Sequence, residues 1–145
     1  MKSVIVYWSR YGNGKKVVDH LSGKLEEKGV ETKVLKTDDA NPKKLPKADF
    51  YVFSTPTEAF RVQGNMRKFM KKLEGMEGKK YCIINTHRMK RNWLKSMEKV
   101  LSKKKKMKKL DGIDFRVEDG TETGEGLPKG WKSNLNTFAE KLVKG

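Results

Sequence analysis

The order of signals along the chain predicts an α/β domain built on a five-stranded parallel sheet. Short runs of β-branched and aromatic residues recur at intervals, with the continuous apolar character of strands buried on both faces. Segments with helical spacing of apolar residues stand between them, and stretches bearing glycine or proline mark the connections. The alternation continues to the last of 145 residues, a length that suits a single domain over 1–145.

Val4, Ile5, Val6, Tyr7 and Trp8 form the first such run, and residues 9–14 then place two glycines and an asparagine in a loop. From Lys15 the period changes: Val17, Val18, Leu21 and Leu25 share one helical face, and Gly29 is placed to end that helix. Residues 30–35 read as a second strand, with Val30, Thr32 and Val34 alternating against their neighbours. Residues 37–47 carry Pro42 and Pro46 and read as a connection, with one helical turn begun at Asn41-Pro42. Phe50, Tyr51, Val52 and Phe53 make a third buried strand, closed by Ser54, Thr55, Pro56 and Thr57. A helix follows with Met66, Phe69, Met70 and Leu73 on its inner face. The fourth strand is Tyr81 to Ile84. Leu94, Met97 and Leu101 mark a helix that runs into the lysines of 103–109. Ile113, Phe115 and Val117 alternate as a fifth, more exposed strand, residues 119–130 form a glycine-rich loop, and Leu135, Phe138, Ala139 and Leu142 define a closing helix.

Right-handed crossovers put helices on both faces of such a sheet. Ligands then sit beyond the carboxyl ends of the strands, near the point where strand order reverses. The segments that bear function are therefore expected at 9–14, 54–60, 85–88 and 118–126.

Composition excludes several classes. The single cysteine, Cys82, lies in an apolar run, which rules out an internal disulfide framework and a cysteine-rich metal site and points to a buried, inert thiol. Neither His20 nor His87 has a second ligand at metal-binding spacing, so no metal site is expected. The longest apolar stretch, Val4 to Trp8, is far too short to cross a bilayer, and no signal-type cleavage site follows it. A cytoplasmic protein without membrane insertion is the expectation. Charged residues make up 36% of the chain and leave a net charge of +16, which fits either a lysine-rich solvated surface or an acidic partner.

The loop Ser9, Arg10, Tyr11, Gly12, Asn13, Gly14 stands between a buried strand and a helix N-terminus, where backbone N–H groups and the helix dipole favour an anion. Lys15 and Lys16 open that helix, a placement that opposes the dipole unless an anion is near. The glycine spacing matches neither a Walker A loop nor a dinucleotide fingerprint. The sequence Val6-Tyr7-Trp8-Ser9, followed by Gly12-Asn13, resembles the start of flavodoxins, whose phosphate loop reads Ser/Thr-x-Thr-Gly-Asn-Thr. Ser9, Gly12 and Asn13 match, whereas Tyr11 and Gly14 stand where that family has threonines. A looser similarity recurs at Ser54 to Glu58.

The resemblance implies a flavodoxin-like three-layer sandwich with strand order 2-1-3-4-5, flavin mononucleotide (FMN) as cofactor, and electron transfer with no catalytic side chain. It implies that Ser9, Arg10, Tyr11, Gly12, Asn13, Gly14 and Lys15 surround the FMN phosphate. It places the flavin ring between a third-strand loop, Thr55, Pro56, Thr57, Glu58, Ala59 and Phe60, and a fourth-strand loop, Asn85, Thr86, His87 and Arg88. His87 and Arg88 read either as partners of the flavin's pyrimidine edge or as a loop pair pointing into water. The run 103–109 holds six of the 34 basic residues and reads as a solvated helix end or a docking patch, with no interleaved aromatics for stacking bases. The expected partners are acidic redox proteins such as ferredoxin-type carriers or oxidoreductases, with nucleic acid disfavoured and the chain a monomer or weak dimer. Two other readings stay open: an FMN-dependent, NAD(P)H-linked reductase of small molecules, and a flavin-free relative of the same fold that binds acidic partners or nucleic acid.

Overall fold

The structure, a computed structural model, describes residues 1–58, 61–118 and 120–145. Five parallel strands form the sheet: β1 (Lys2–Tyr7), β2 (Glu31–Lys36), β3 (Phe50–Glu58), β5 (Lys80–His87) and β6 (Lys108–Arg116). Their order is β2-β1-β3-β5-β6, so the chain reverses direction across the sheet between β1 and β3. A sixth strand, β4 (Arg61–Val62), pairs antiparallel with the end of β3 through Thr57↔Val62 and Glu58↔Arg61. Counted without it, the order is the 2-1-3-4-5 that the resemblance implies. Two residues are too few to show a period, which is why β4 is not legible in the sequence.

Each central strand sends alternate side chains to opposite faces. Ile5, Val52, Cys82 and Ile84 pack under helices α1 (Asn13–Glu27) and α4 (Trp131–Lys144), meeting Val17, Leu21, Leu135 and Phe138. Val4, Val6, Tyr51, Phe53, Tyr81 and Ile83 pack on the other face against α2 (Gly64–Lys72) and α3 (Leu94–Glu98), meeting Met66, Met70 and Met97. Helix, sheet and helix thus form three layers. No helix among the described residues is long and apolar enough to cross a membrane.

Several boundaries differ from the sequence reading, each for a local reason. The helical turn of the 37–47 connection forms at Thr37–Asp39, directly off β2, while Asn41 and Pro42 make a turn. Both β3 and β5 outrun their apolar runs. The parallel ladder continues through Thr55↔Asn85 and Pro56↔Thr86, so Thr55, Pro56, Thr57, Glu58, Asn85, Thr86 and His87 are strand residues and not loop residues. Helix α3 widens into a π-helical turn over Lys99–Lys104, where Lys105 N–H donates to the Val100 carbonyl. The lysine run is consequently divided: Lys103 and Lys104 end the helical segment, the chain turns at Lys106, and Lys108 and Lys109 open β6. All of it lies at the amino-terminal edge of the sheet, where Lys108 pairs with Lys80.

Candidate functional site

Beyond the carboxyl ends of β1, β3 and β5 lies a cavity of about 320 Å³. Its first wall is the connection from β1 to α1. Trp8 N–H still pairs with the Ser54 carbonyl at 3.1 Å, and the chain then leaves the sheet. Ser9 Oγ accepts the Gly12 N–H at 3.1 Å and folds the loop back on itself. Gly12 adopts φ 96° and ψ −7°, a left-handed geometry that a β-carbon disfavours, and hands the chain to α1. The first bond of the helix is Lys16 N–H to the Gly12 carbonyl at 3.0 Å. By helix geometry, the N–H groups of Gly14 and Lys15 in this first turn have no intrahelical acceptor. No side chain caps α1 and no acidic residue occupies its first turn, so the positive end of its dipole is presented unmodified to the cavity.

The connection after β6 braces that loop from behind. Asn13 is buried, and its Oδ1 accepts the Gly126 N–H at 3.0 Å. Gly124 has φ 76°, and a β-carbon there would fall 2.6 Å from the Tyr11 carbonyl oxygen. Lys16 Nζ reaches Glu125 Oε1 at 2.9 Å. Two segments more than a hundred residues apart are thereby fixed against each other.

The second wall is the end of β3. Arg10 binds Glu58 through both carboxylate oxygens, Nε to Oε2 at 2.6 Å and Nη2 to Oε1 at 2.8 Å, and its guanidinium lies 4.9 Å from the centre of the Trp8 ring. The hydrogen bond and charge of Glu58 raise the Arg10 pKa above its usual value. Pro56, Thr57 and Glu58 line the cavity. The third wall is the end of β5, with Thr86, His87 and Arg88. His87 is only 3% exposed, so of the two alternatives read from sequence the loop pair pointing into water does not hold for it. Its Nδ1 lies 2.6 Å from the Met89 carbonyl oxygen and its Nε2 2.6 Å from Asp114 Oδ2. The ring is thereby held between the chain after β5 and the strand beside it. Arg88, one residue on, is exposed.

Ser9, Arg10, Tyr11, Asn13, Gly14, Pro56, Thr57, Glu58, Thr86, His87 and Arg88 are thus brought to one cavity, joined by Val117, which the sequence reading did not single out. Gly12, Lys15, Thr55 and Asn85 do not line it. Lys15 Nζ pairs with Asp19 Oδ2 at 2.6 Å, which raises its pKa. Thr55 and Asn85 are buried beneath the cavity floor. Asn85 Nδ2 donates to the Thr55 carbonyl and to Thr57 Oγ1, both at 3.1 Å, and its Oδ1 accepts the Trp93 N–H at 2.9 Å. It ties the end of β3 to the loop after β5. Ala59 and Phe60 lie outside the described residues. Asp114, Gly124 and Gly126 brace the site without having been singled out. The glycine-rich character of 119–130 was the available signal for the last two, whereas nothing in sequence pairs Asp114 with His87.

At one end the cavity offers amide donors and a helix dipole suited to an anion, and at the other it is bounded by two strand termini. The Ser9 hydroxyl is turned to the Gly12 amide, and Cys82 is buried in the sheet, so neither is set up as a nucleophile beside a base.

The Flavodoxin family profile matches residues 5–111. No curated protein matches the chain by sequence. Among solved structures, a flavodoxin of Streptococcus pneumoniae is 19% identical with TM-score 0.78, and the match covers 99% of each chain. Oxidised flavodoxin 1 of Bacillus cereus is 16% identical with TM-score 0.81, covering 99% of this chain and 98% of that one. The rubredoxin:oxygen oxidoreductase of Desulfovibrio gigas is 12% identical with TM-score 0.81, covering 99% of this chain but 35% of the larger one. The profile spans most of the chain and the strand order and layers agree with it, so the chain belongs to the flavodoxin family.

Proposed function

We propose that the cavity binds FMN and that the protein carries electrons between redox partners. The observation that carries this reading is the uncapped start of α1. A helix N-terminus entered through the left-handed Gly12, with no acidic residue in its first turn, opens onto a cavity at the point where strand order reverses. The volume of about 320 Å³ is that of a small-ligand site.

The residues present fit the group. The Gly14 amide and the Ser9 hydroxyl, both at the cavity wall, would hold the phosphate, with Asn13 keeping the loop in place through Gly126. Pro56, Thr57 and Glu58 on one side and Thr86, His87 and Arg88 on the other would border the ring system. When bound, FMN supplies reversible uptake of electrons, and the protein supplies grip, placement and electrostatic surroundings. Arg10 neutralises Glu58, the one carboxylate among the described residues lining the cavity, and Arg88 stands on its opposite side. Positive surroundings stabilise added negative charge on a reduced ring, so a midpoint potential less reducing than in an acidic relative accompanies this reading. The charge of +16 supports acidic redox proteins as partners.

Release and identification of the bound group tests the proposal. Denatured, freshly purified protein should yield FMN in about one-to-one amount, and a colourless protein that takes up no added flavin would refute it.

A further inference from the structure

Two of the three large hydrophobic side chains that stand exposed among the described residues, Tyr11 at 46% and Met89 at 50%, flank the flavin cavity. Tyr11 lines it, and Met89 follows Arg88 at its rim. An open groove adjoins the cavity on this side, formed by Met89, Lys90, Arg91, Trp93 and Arg116. It is strongly cationic. Arg88, Lys90, Arg91 and Arg116 are exposed, and none of them makes an ion pair with any of the described residues. Elsewhere on the surface, Lys15, Lys16, Lys24 and Lys109 do have carboxylate partners.

The groove is also held in shape. Arg116 Nε donates to the Arg88 carbonyl at 3.1 Å, the Arg91 guanidinium lies 5.0 Å from the centre of the Trp93 ring, and Trp93 N–H is fixed by Asn85. An exposed apolar centre within a rim of unpaired charge is the pattern of a protein docking site, the apolar part giving affinity and the rim giving steering. We propose that this face, Met89 ringed by Arg88, Lys90, Arg91 and Arg116, docks a small acidic redox protein whose carboxylates surround an apolar contact. The proposal rests on the FMN reading for its purpose, since it is the groove's position at the cavity rim that makes it a route for electrons.

A single-stranded nucleic acid fits the face less well. Stacking of bases needs free aromatic surface, whereas Trp93 is half-buried and carries the Arg91 guanidinium over its ring. The lysines of 103–109, the most conspicuous basic run in the sequence, sit at the opposite end of the sheet from the cavity. They serve as a control of equal charge.

The test compares two double variants of the full chain, Lys90→Glu/Arg91→Glu and Lys103→Glu/Lys104→Glu, which change net charge identically. The probe is an acidic ferredoxin, titrated by calorimetry at low ionic strength, with a duplex and a single-stranded DNA titrated in parallel. Docking at the groove predicts that the first variant weakens ferredoxin binding by about tenfold or more, while the second weakens it less than about threefold. Equal losses in both variants, or no ferredoxin binding by the unaltered protein, would overturn the assignment. So would DNA binding tighter than ferredoxin binding and lost in the first variant, which would give the face to nucleic acid. FMN titrations of the same proteins report separately on the flavin reading, because neither Lys90 nor Arg91 lines the cavity, and ferredoxin binding is measured whether or not flavin is retained.

Discussion

Gly12 and Gly124 hold the loop between β1 and α1 in shape from its two sides. At Gly12 the space around a β-carbon is open, so only the backbone angle of 96° opposes substitution. At Gly124 both the angle of 76° and a contact of 2.6 Å with the Tyr11 carbonyl oppose it. A left-handed residue bearing a β-carbon costs about 1–2 kcal/mol. Gly12→Val and Gly124→Ala should therefore each weaken FMN binding by about tenfold or more, read by fluorescence titration. The effect of Gly124→Ala should appear although the residue does not line the cavity, and unchanged affinity in both would refute the account of the loop. Gly12 is legible in the sequence because strand, loop and helix follow one another there. Gly124 is marked only by its glycine-rich surroundings, because its partner is distant along the chain. Cys82 illustrates a second residue-level consequence. Burial pushes its thiol pKa up, with the Asp111 charge adding to the effect, and burial likewise raises Tyr51 and Tyr81. The unfolded chain deprotonates its thiol near pH 8.5 and its phenols near pH 10, to a rough approximation. A raised folded value means that stability is full below those points and declines as pH rises past them. Urea midpoints of the native protein should fall between about pH 8 and 10 relative to those of Cys82→Ala, and parallel profiles would contradict the burial argument.

The strands that build the site show where sequence patterns stop being informative. Phe50 to Phe53 and Tyr81 to Ile84 are recognisable from apolar content alone. Their extensions, Ser54 to Glu58 and Asn85 to His87, are polar and resemble loops, yet they stay in strand: the β3–β5 ladder runs on to Pro56↔Thr86, Thr57 and Glu58 pair with β4, and His87 pairs with Arg116 of β6. Burying such polar groups is tolerable only when they are hydrogen-bonded, and Asn85, fully buried, meets that condition with bonds to Thr55, Thr57 and Trp93. Asn85→Ala would leave the Trp93 N–H without its side-chain acceptor and the Thr55 carbonyl without its side-chain donor. The expected cost is about 1–3 kcal/mol, seen as a melting temperature lower by several degrees. An unchanged melting temperature would show that the clamp contributes nothing. The same ladder explains His87: as the last residue of β5 it is held beside Asp114 of β6, and its burial follows from a strand end that the sequence reads as a turn.

For the whole molecule, the alternation of strands and helices was enough to predict three layers and the end of the sheet at which the cavity opens. The distribution of charge was not. The 103–109 run dominates the sequence but occupies the far edge of the sheet, whereas the cations in and beside the cavity come from Arg10, Arg88, Lys90, Arg91 and Arg116, assembled from two connections and a strand end. The fold gathers positive charge at the ligand end in two forms, side chains on the rim and the start of α1 within. The central claim is that the helix start grips a phosphate, and comparison of FMN with riboflavin, which lacks the phosphate, tests it most directly. Two charge-assisted hydrogen bonds at about 1.5 kcal/mol each correspond to roughly a hundredfold in affinity. Fluorescence titration of the flavin-free protein should therefore show FMN binding about a hundredfold more tightly than riboflavin, and equal affinities for the two would contradict the account.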